Sequence, residues 1–454
     1  MKWVRIFGGL AASALAGALA AAFGQPQAIV ATIAITALTA AWWITEALPI
    51  PATSIVPFAL FPMAGVLDHR EAAAALGDHV IILLMGGFML SKGLEKSGVH
   101  ERLALYMIAA VGASGKRLVF GFMIATAMIS MWVSNTSTVL MIMPIALAIL
   151  ARSQDRSLDA PVVLGVAYAA SIGGLGTLIG TPPNVIFAGI YERTTGAEFG
   201  FLEWMKIGVP VVIIATPLAA LWLTRKVTAR ETIAIPDPGR WRTGEIRTLI
   251  VFAVTVVLWV TRSEPFGGWS GWLGIEGAGD STVALLAVIA LFLIPDGKGD
   301  ALLDWKTAVD IPWGMLLLFA GGIAIAAGFE QSGLSALIGT SLTGAQTLPV
   351  FALMLTICLV VTYMSEITSN TAVATLTLPV LAAAAAGTGL APAILMVPAA
   401  MAASSGFMLP VSTAPNAIAY GTGRVSVGQM AREGAALNLM LAVVIAGVCY
   451  FSLR

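Results

Sequence analysis

The sequence predicts an all-α polytopic membrane protein: about eleven transmembrane helices plus two re-entrant hairpins, arranged as an inverted repeat. Three observations carry this expectation. Of the 454 residues, 58% are hydrophobic and only 11% charged, with a mean hydropathy of +0.92; a soluble domain carries about 25% charged residues. Apolar runs long enough to cross a bilayer recur along the whole chain. The chain also repeats itself at a fixed offset of 235 residues.

The apolar runs lie near 4–23, 27–47, 50–67, 78–95, 160–191, 205–224, 247–262, 282–296, 309–328, 391–421 and 433–453. The first follows Lys2 and Arg5 and is longer than the 7–15-residue core of a signal peptide, so it is read as a retained first span. Two further stretches, 118–150 and 349–385, break at a polar centre, and each half is expected to be too short to cross. Such a segment is a hairpin of two half-helices that enters and leaves on one side. The resulting division is a first helix in 1–26, a first repeat in 27–224 with broken helix 160–191, a cytoplasmic linker helix in 225–246, and a second repeat in 247–454 with broken helix 391–421.

Charge supports this count. With the N-terminus cytoplasmic and the C-terminus outside, nineteen of the 24 Lys and Arg residues fall inside. Only Arg70, Arg193, Lys206, Arg262 and Arg454 remain outside, a strong positive-inside asymmetry. Equal numbers of basic and acidic residues give no reason to expect nucleic acid as a partner. Cys358 and Cys449 both lie in apolar runs, and His69, His79 and His100 are scattered, so no cysteine or histidine metal site is expected.

The repeat is dense. Gly86-Gly87 recurs as Gly321-Gly322, and Gly93 to Gly98 as Gly328 to Gly333. Ser130 matches Ser365, Ser134-Asn135-Thr136 matches Ser369-Asn370-Thr371, and Pro144 matches Pro379. Gly180-Thr181-Pro182-Pro183-Asn184 has its counterpart in Ser412-Thr413-Ala414-Pro415-Asn416, displaced by 232. An odd number of crossings per unit inverts the second copy. Paired discontinuous helices in inverted repeats mark secondary transporters.

The hairpin tips carry the chemistry. No Lys, Arg or His occurs in 118–151 or 349–423, and Glu366 is the one ionised residue there. At each tip a returning half-helix offers free N–H groups to an anion. The descending one offers carbonyls, joined by Ser130 and Ser134 or by Ser365, as hard ligands for a small cation. Pro182, Pro183 and Pro415 disfavour continuous helix and expose further carbonyls. A bound dianion without a basic residue needs co-bound cations, and sodium is the expected source; no organic cofactor is implied. Glu366 reads equally as a functional carboxylate or as one bonding backbone at the tip, and Glu46 as interfacial or structural.

The paired Ser-Asn-Thr tips, Gly180 to Asn184, Leu409 to Asn416 and Trp42 to Pro49 together resemble the divalent anion:sodium symporter family, which holds bacterial dicarboxylate transporters and sodium–citrate carriers. The resemblance covers nearly the whole chain. It implies a homodimer in the cell (inner) membrane, with a scaffold domain and a mobile transport domain that moves elevator-fashion. It also implies sodium-coupled uptake of succinate, malate or fumarate. By matching positions, one sodium site would use Ser130, Ser134, Asn135 and Gly180, and a second Ser365, Thr368, Asn370 and Ser412. Substrate would meet Asn135, Thr136, Asn370 and Thr371, with Thr181, Thr413 and Ala414 lining the pocket. Many family members have proline where this chain has Ala414, beside the substrate.

Other classes fit less well. An antiporter of the same fold would use basic side chains in place of a sodium, and none lies near the tips. An intramembrane enzyme would need an activated nucleophile or metal ligands within the membrane. A channel is permitted by the repeat but suits two closed tips poorly.

Overall fold

The computed structural model describes residues 2–153, 155–228, 233, 235–341 and 349–453. All regular structure among them is helical, apart from one isolated bridge between Pro295 and Ala301. Among the described residues, ten helices are long and apolar enough to cross a membrane.

The repeat has a physical cause at each matched motif. Gly98 and Gly333 sit at φ of 77° and 82°, in the left-handed region that favours glycine, and end helices His79–Ser97 and Trp313–Ser332. Each is followed at once by a second helix, Val99–Val111 or Leu334–Ser341, which the sequence does not lead one to expect. Gly86-Gly87 and Gly321-Gly322 allow close approach. A Cβ at Gly86 would lie 2.7 Å from the Ala284 Cβ, and one at Gly322 would lie within contact of Thr375.

The hairpins appear as Gly115–Ser130 with Asn135–Leu150, and Val350–Ile367 with Asn370–Thr388. The first pair has arms of 16 residues each, about 24 Å, short of the hydrocarbon core. The arms of the second pair have 18 and 19 residues, about 27–28 Å. The expectation that every half is too short therefore fails for the second pair on length. Its tip break is a single turn at Thr368 and Ser369, which leaves more of the segment helical. The broken helices separate as Asp159–Gly174 and Pro182–Thr195, and as Pro392–Ala403 and Ala414–Gly421.

Packing divides the helices into two groups. Lys2–Ala22, Gln27–Thr45, the short helices in 50–63, His79–Ser97, Thr243–Val260, Asp280–Leu293 and Trp313–Ser332 pack mainly on one another. The hairpins, the broken helices, Phe201–Thr224 and Val427–Ser452 form the other group. Val99–Val111 and Leu334–Ser341 bridge the groups by lying on hairpin arms Gly115–Ser130 and Asn370–Thr388.

The surface helix expected in 225–246 is not seen among its described residues, which are irregular up to Thr243; residues 229–232 and 234 lie outside the description, as does Arg454. Pro236, Pro238 and Gly239 interrupt helix there. The segment is strapped instead. Arg102, buried, bonds the carbonyls of Gly239 and Arg240 at 2.7 and 2.8 Å and the Glu245 carboxylate at 3.0 Å.

Candidate functional site

The site is assembled where the two broken helices meet the two hairpin tips. Helix Asp159–Gly174 unwinds at Leu175, and the chain resumes helix at Pro182-Pro183, whose missing N–H groups suit the first helical turn. Asn184 holds the unwound loop: its Nδ2 donates to the carbonyls of Gly174 at 3.0 Å and Thr177 at 2.7 Å. The second repeat does the same. Asn416 Nδ2 donates to the carbonyls of Gly406 and Leu409 at 3.1 and 3.0 Å, and to Ser412 Oγ at 2.9 Å. Both asparagines are fully buried.

Against each loop stands a hairpin tip. The Asn135 side-chain oxygen lies 2.7 Å from Ser130 Oγ, 3.1 Å from the Ala170 carbonyl oxygen and 3.3 Å from that of Gly180. The Asn370 oxygen lies 2.6 Å from Ser365 Oγ, 3.2 Å from the Ser412 carbonyl oxygen and 3.3 Å from that of Ala403. Each hydroxyl owns a single proton. Ser130 Oγ can donate to Asn135 or to the Ala170 carbonyl, 2.8 Å away, and not to both. With the amide oxygen turned inward, the remaining oxygens of each cluster would face one another with no hydrogen between them. A cation in their midst removes that repulsion, and carbonyl and hydroxyl oxygens replace the hydration shell of small monovalent cations. Turning either amide by 180° would instead place Nδ2 where it donates to all three neighbours. Each cluster can thus exist with a cation and amide oxygen inward, or without one and amide nitrogen inward.

The clusters are joined across the repeats. Thr181 Oγ1 and Ser404 Oγ, 223 residues apart, lie at 3.1 Å and are both buried. The packing is crossed: return arm Asn135–Leu150 lies on Ala414–Gly421, and return arm Asn370–Thr388 on Pro182–Thr195. Among the described residues, no three His, Cys, Asp or Glu gather as metal ligands; the convergent groups here are neutral oxygens.

A family model described as citrate transporter matches residues 40–397. The chain belongs to the citrate transporter family. It is similar to the sodium-dependent dicarboxylate transporter SdcS of Staphylococcus saprophyticus, at 39% identity over 92% of this chain and 85% of that one. It is also similar to SdcS of Staphylococcus aureus, at 37% identity over 94% of this chain and 88% of that one. The crystal structure of the YdaH transporter of Alcanivorax borkumensis, described as revealing an unusual topology, superposes with a TM-score of 0.57. It covers 83% of this chain and 86% of its own at 16% identity, a likeness of fold alone.

Within this transporter the expected site residues divide. Ser130, Asn135 and Gly180 meet in one cluster, and Ser365, Asn370 and Ser412 in the other, where it is the Ser412 carbonyl that points in. Ser134 stands aside: its hydroxyl caps the return arm, accepting from Ser137 N at 3.2 Å. Thr368 turns away and donates to the Met364 carbonyl at 2.7 Å. Thr136 and Ala414 are exposed, Thr371 is buried, and Thr413 caps its half-helix by accepting from Asn416 N at 3.2 Å. The carbonyls of Ala170 and Ala403 carry no side-chain signal and were not foreseen. Asn184 and Asn416 were visible as matched motif residues whose task was not. Glu366 bonds backbone, and Glu46 ends helix Gln27–Thr45 in the left-handed conformation at φ 49°.

Proposed function

We propose that this transporter is a symporter that couples inward sodium movement to uptake of a C4-dicarboxylate such as succinate, malate or fumarate. The observation that carries the reading is the pair of polar clusters, one per repeat, in which an asparagine amide, a serine hydroxyl and two backbone carbonyls converge. Two sodium ions there would balance a dianion that no Lys, Arg or His in 118–151 or 349–423 can neutralise. The names of the SdcS relatives support both sodium and dicarboxylate.

In this reading Ser130, Asn135 and Gly180 with the Ala170 carbonyl hold one sodium, and Ser365, Asn370 and Ser412 with the Ala403 carbonyl hold the other. Ser134 and Thr368 support the tips they cap. The substrate carboxylates meet the N-termini of the return arms at Asn135, Thr136, Asn370 and Thr371, with Thr181, Thr413 and Ala414 around them. The division of packing into two groups supports movement of the site-bearing group past the other. We place the protein in the cell membrane, N-terminus cytoplasmic and C-terminus outside, on the distribution of basic residues, and as a homodimer on its resemblance to the divalent anion:sodium symporter family.

A second reading, citrate as the anion, is favoured by the family's description and by the exposed Ala414 beside the pocket, which leaves more room than proline. Labelled succinate uptake into proteoliposomes, with an inward sodium gradient against choline, tests the proposal. Sodium-dependent accumulation supports it. Exchange in preloaded vesicles without sodium would refute symport, and competition by citrate at lower concentration than succinate would select the second reading.

A further inference from the structure

On the face that the basic residues assign to the cytoplasm, a cavity of about 260 Å³ opens between three segments: the end of helix His79–Ser97, the start of Thr243–Val260 and the loop after Asp280–Leu293. It shares no residue with either oxygen cluster. Its lining holds three cations, Lys96, Arg242 and Lys298, with Thr243 and the carboxylates of Glu245 and Asp296. Those carboxylates are already engaged. Arg102 grips Glu245 at 3.0 and 3.2 Å, and Asp296 Oδ1 accepts from Lys298 N at 2.6 Å and Asp300 N at 3.2 Å. Lys96 is paired with Asp304 at 2.6 Å. The other two cations are not matched in this way. The Arg242 side chain is 67% exposed and stands 3.9 Å from the Glu245 carboxylate that Arg102 holds. Lys298, between Gly297 and Gly299 at positive φ, belongs to no ion pair among the described residues. Arg247 is also close by, bonding the Pro295 carbonyl at 2.6 Å. With it and Arg102, five cations face Glu245, Asp296, Asp300 and Asp304, an excess of one positive charge.

Two features place this cavity at the membrane surface. Trp241, next to Arg242, and Trp305, next to Asp304, are both exposed, as tryptophans are at a bilayer interface. Beyond Arg242 and Thr243, helix Thr243–Val260 presents Ile246, Ile250, Val254 and Val257 as one exposed apolar stripe. We propose that the cavity binds the phosphodiester of an anionic phospholipid, whose acyl chains lie along that stripe. Basic pockets between membrane helices on the cytoplasmic side suit such headgroups, and the guanidinium fork of Arg242 matches phosphate oxygens. The excess of one positive charge equals the single negative charge of a phosphodiester. A free phosphate, with its second pKa near 6, is closer to a dianion and is left under-neutralised. The site also has a consequence for the moving parts. Lys96 lies two residues before Gly98, and Arg102, behind Glu245, belongs to Val99–Val111, which rests on the first hairpin arm. A lipid held here ties down the fixed end of that bridging helix.

The test uses the full-length protein, stripped of lipid in detergent, with thermal unfolding as the readout. Short-chain phosphatidylglycerol should raise Tm, half-saturating at a concentration about fivefold below that of phosphatidylcholine of the same chain length. Inorganic phosphate at the same concentrations should leave Tm unchanged. In the double variant Arg242→Gln with Lys298→Gln, half-saturating phosphatidylglycerol should rise about thirtyfold, two surface cations being lost. Arg242→Lys with Lys298→Arg keeps both charges and should stay within about threefold of wild type, which separates lost charge from a disturbed fold. Lys116→Gln with Lys226→Gln, which removes two exposed cations of the same face outside the cavity, should also stay within about threefold. An unshifted glutamine variant would overturn the site. So would an equal shift in the Lys116 and Lys226 variant, since a diffuse basic surface would then explain binding. Phosphatidylcholine as effective as phosphatidylglycerol would overturn the match to an anionic headgroup, and inorganic phosphate as effective as either would make the ligand a soluble phosphate and no lipid.

Discussion

Gly174→Ala offers the sharpest single test of the first oxygen cluster. Gly174 ends the first half of a broken helix, and a Cβ there would lie 2.7 Å from the Asn135 side-chain oxygen, 3.1 Å from its nitrogen and 3.0 Å from the Gly180 carbonyl oxygen. Ordinary contact between carbon and oxygen begins near 3.4 Å, so the Asn135 amide must retreat by several tenths of an ångström. Two of the converging oxygens are displaced at once. Relief of this overpacking should cost about 1–3 kcal/mol of stability. The loss of one ion–dipole contact of about 1.5–3 kcal/mol should raise half-saturating sodium about tenfold to a hundredfold. Sodium titration of succinate uptake in proteoliposomes reads the second effect, and thermal unfolding in sodium against choline separates it from the first. Gly8→Ala, at a position with nothing within 4 Å, is the control for glycine replacement in a helix. A Gly174→Ala protein that is folded and has wild-type sodium dependence would refute the assignment of this cluster to a cation.

Arg262→Met leaves Asp280, 3% exposed on its side chain, without the guanidinium 2.8 Å away; unfolding should show a loss of about 3–5 kcal/mol, and the double variant with Asp280→Asn should lose less. Ser404→Ala strips buried Thr181 of its partner hydroxyl, which should cost about 1–3 kcal/mol and raise KM for succinate more than it lowers kcat. A cysteine at exposed Arg156, in the turn after the first hairpin, should react with an impermeant thiol reagent only from the cytoplasmic side, and labelling from outside would overturn the hairpin count. The Lys96 ammonium, 2.6 Å from Asp304, holds that carboxyl down to about 2 from its ordinary 3.8, helped by the Thr307 N–H. The folded value is the lower one, so the contribution is complete above about pH 4 and fades as pH falls toward 2. The difference in Tm between wild type and Asp304→Asn should shrink over that window, and should do so at higher pH in Lys96→Met.

What could be read from the sequence was what composition and periodicity report directly. The spans, the offset of 235 and the two tips were legible because bilayer length and a duplicated motif leave marks on side chains. Val99–Val111 and Leu334–Ser341 escaped because they are too short to register as spans, although Gly98 and Gly333, left-handed in both copies, marked their starts. One carbonyl of each oxygen cluster was hidden for a different reason: any residue type supplies a carbonyl, so Ala170 and Ala403 could not be picked out. Thr368 and Ser134 were misleading because a hydroxyl near a helix end has a local backbone partner within reach, and both took it. Glu366, balanced between two readings in the sequence, is resolved by distance alone: three loop amides lie within 3.1 Å of its oxygens.

The crossed packing of the return arms has a consequence for how the molecule is made. The first return arm starts at Asn135 and its resting place at Ala414, roughly 280 residues later, some tens of seconds at ordinary ribosomal speed. Through that interval the first hairpin can lie on Asp159–Gly174, but its return arm has no Ala414–Gly421 to cover it and Thr181 has no Ser404 to meet. Its polar tip must stay hydrated or be held by the insertion machinery. A ribosome that stalls anywhere before Gly421 leaves a chain with an open, half-polar seam in the bilayer, well suited to recognition by membrane proteases. Completion of the second repeat is then the event that closes both halves together, so the appearance of protease resistance should follow the synthesis of residue 421 and not that of either hairpin alone.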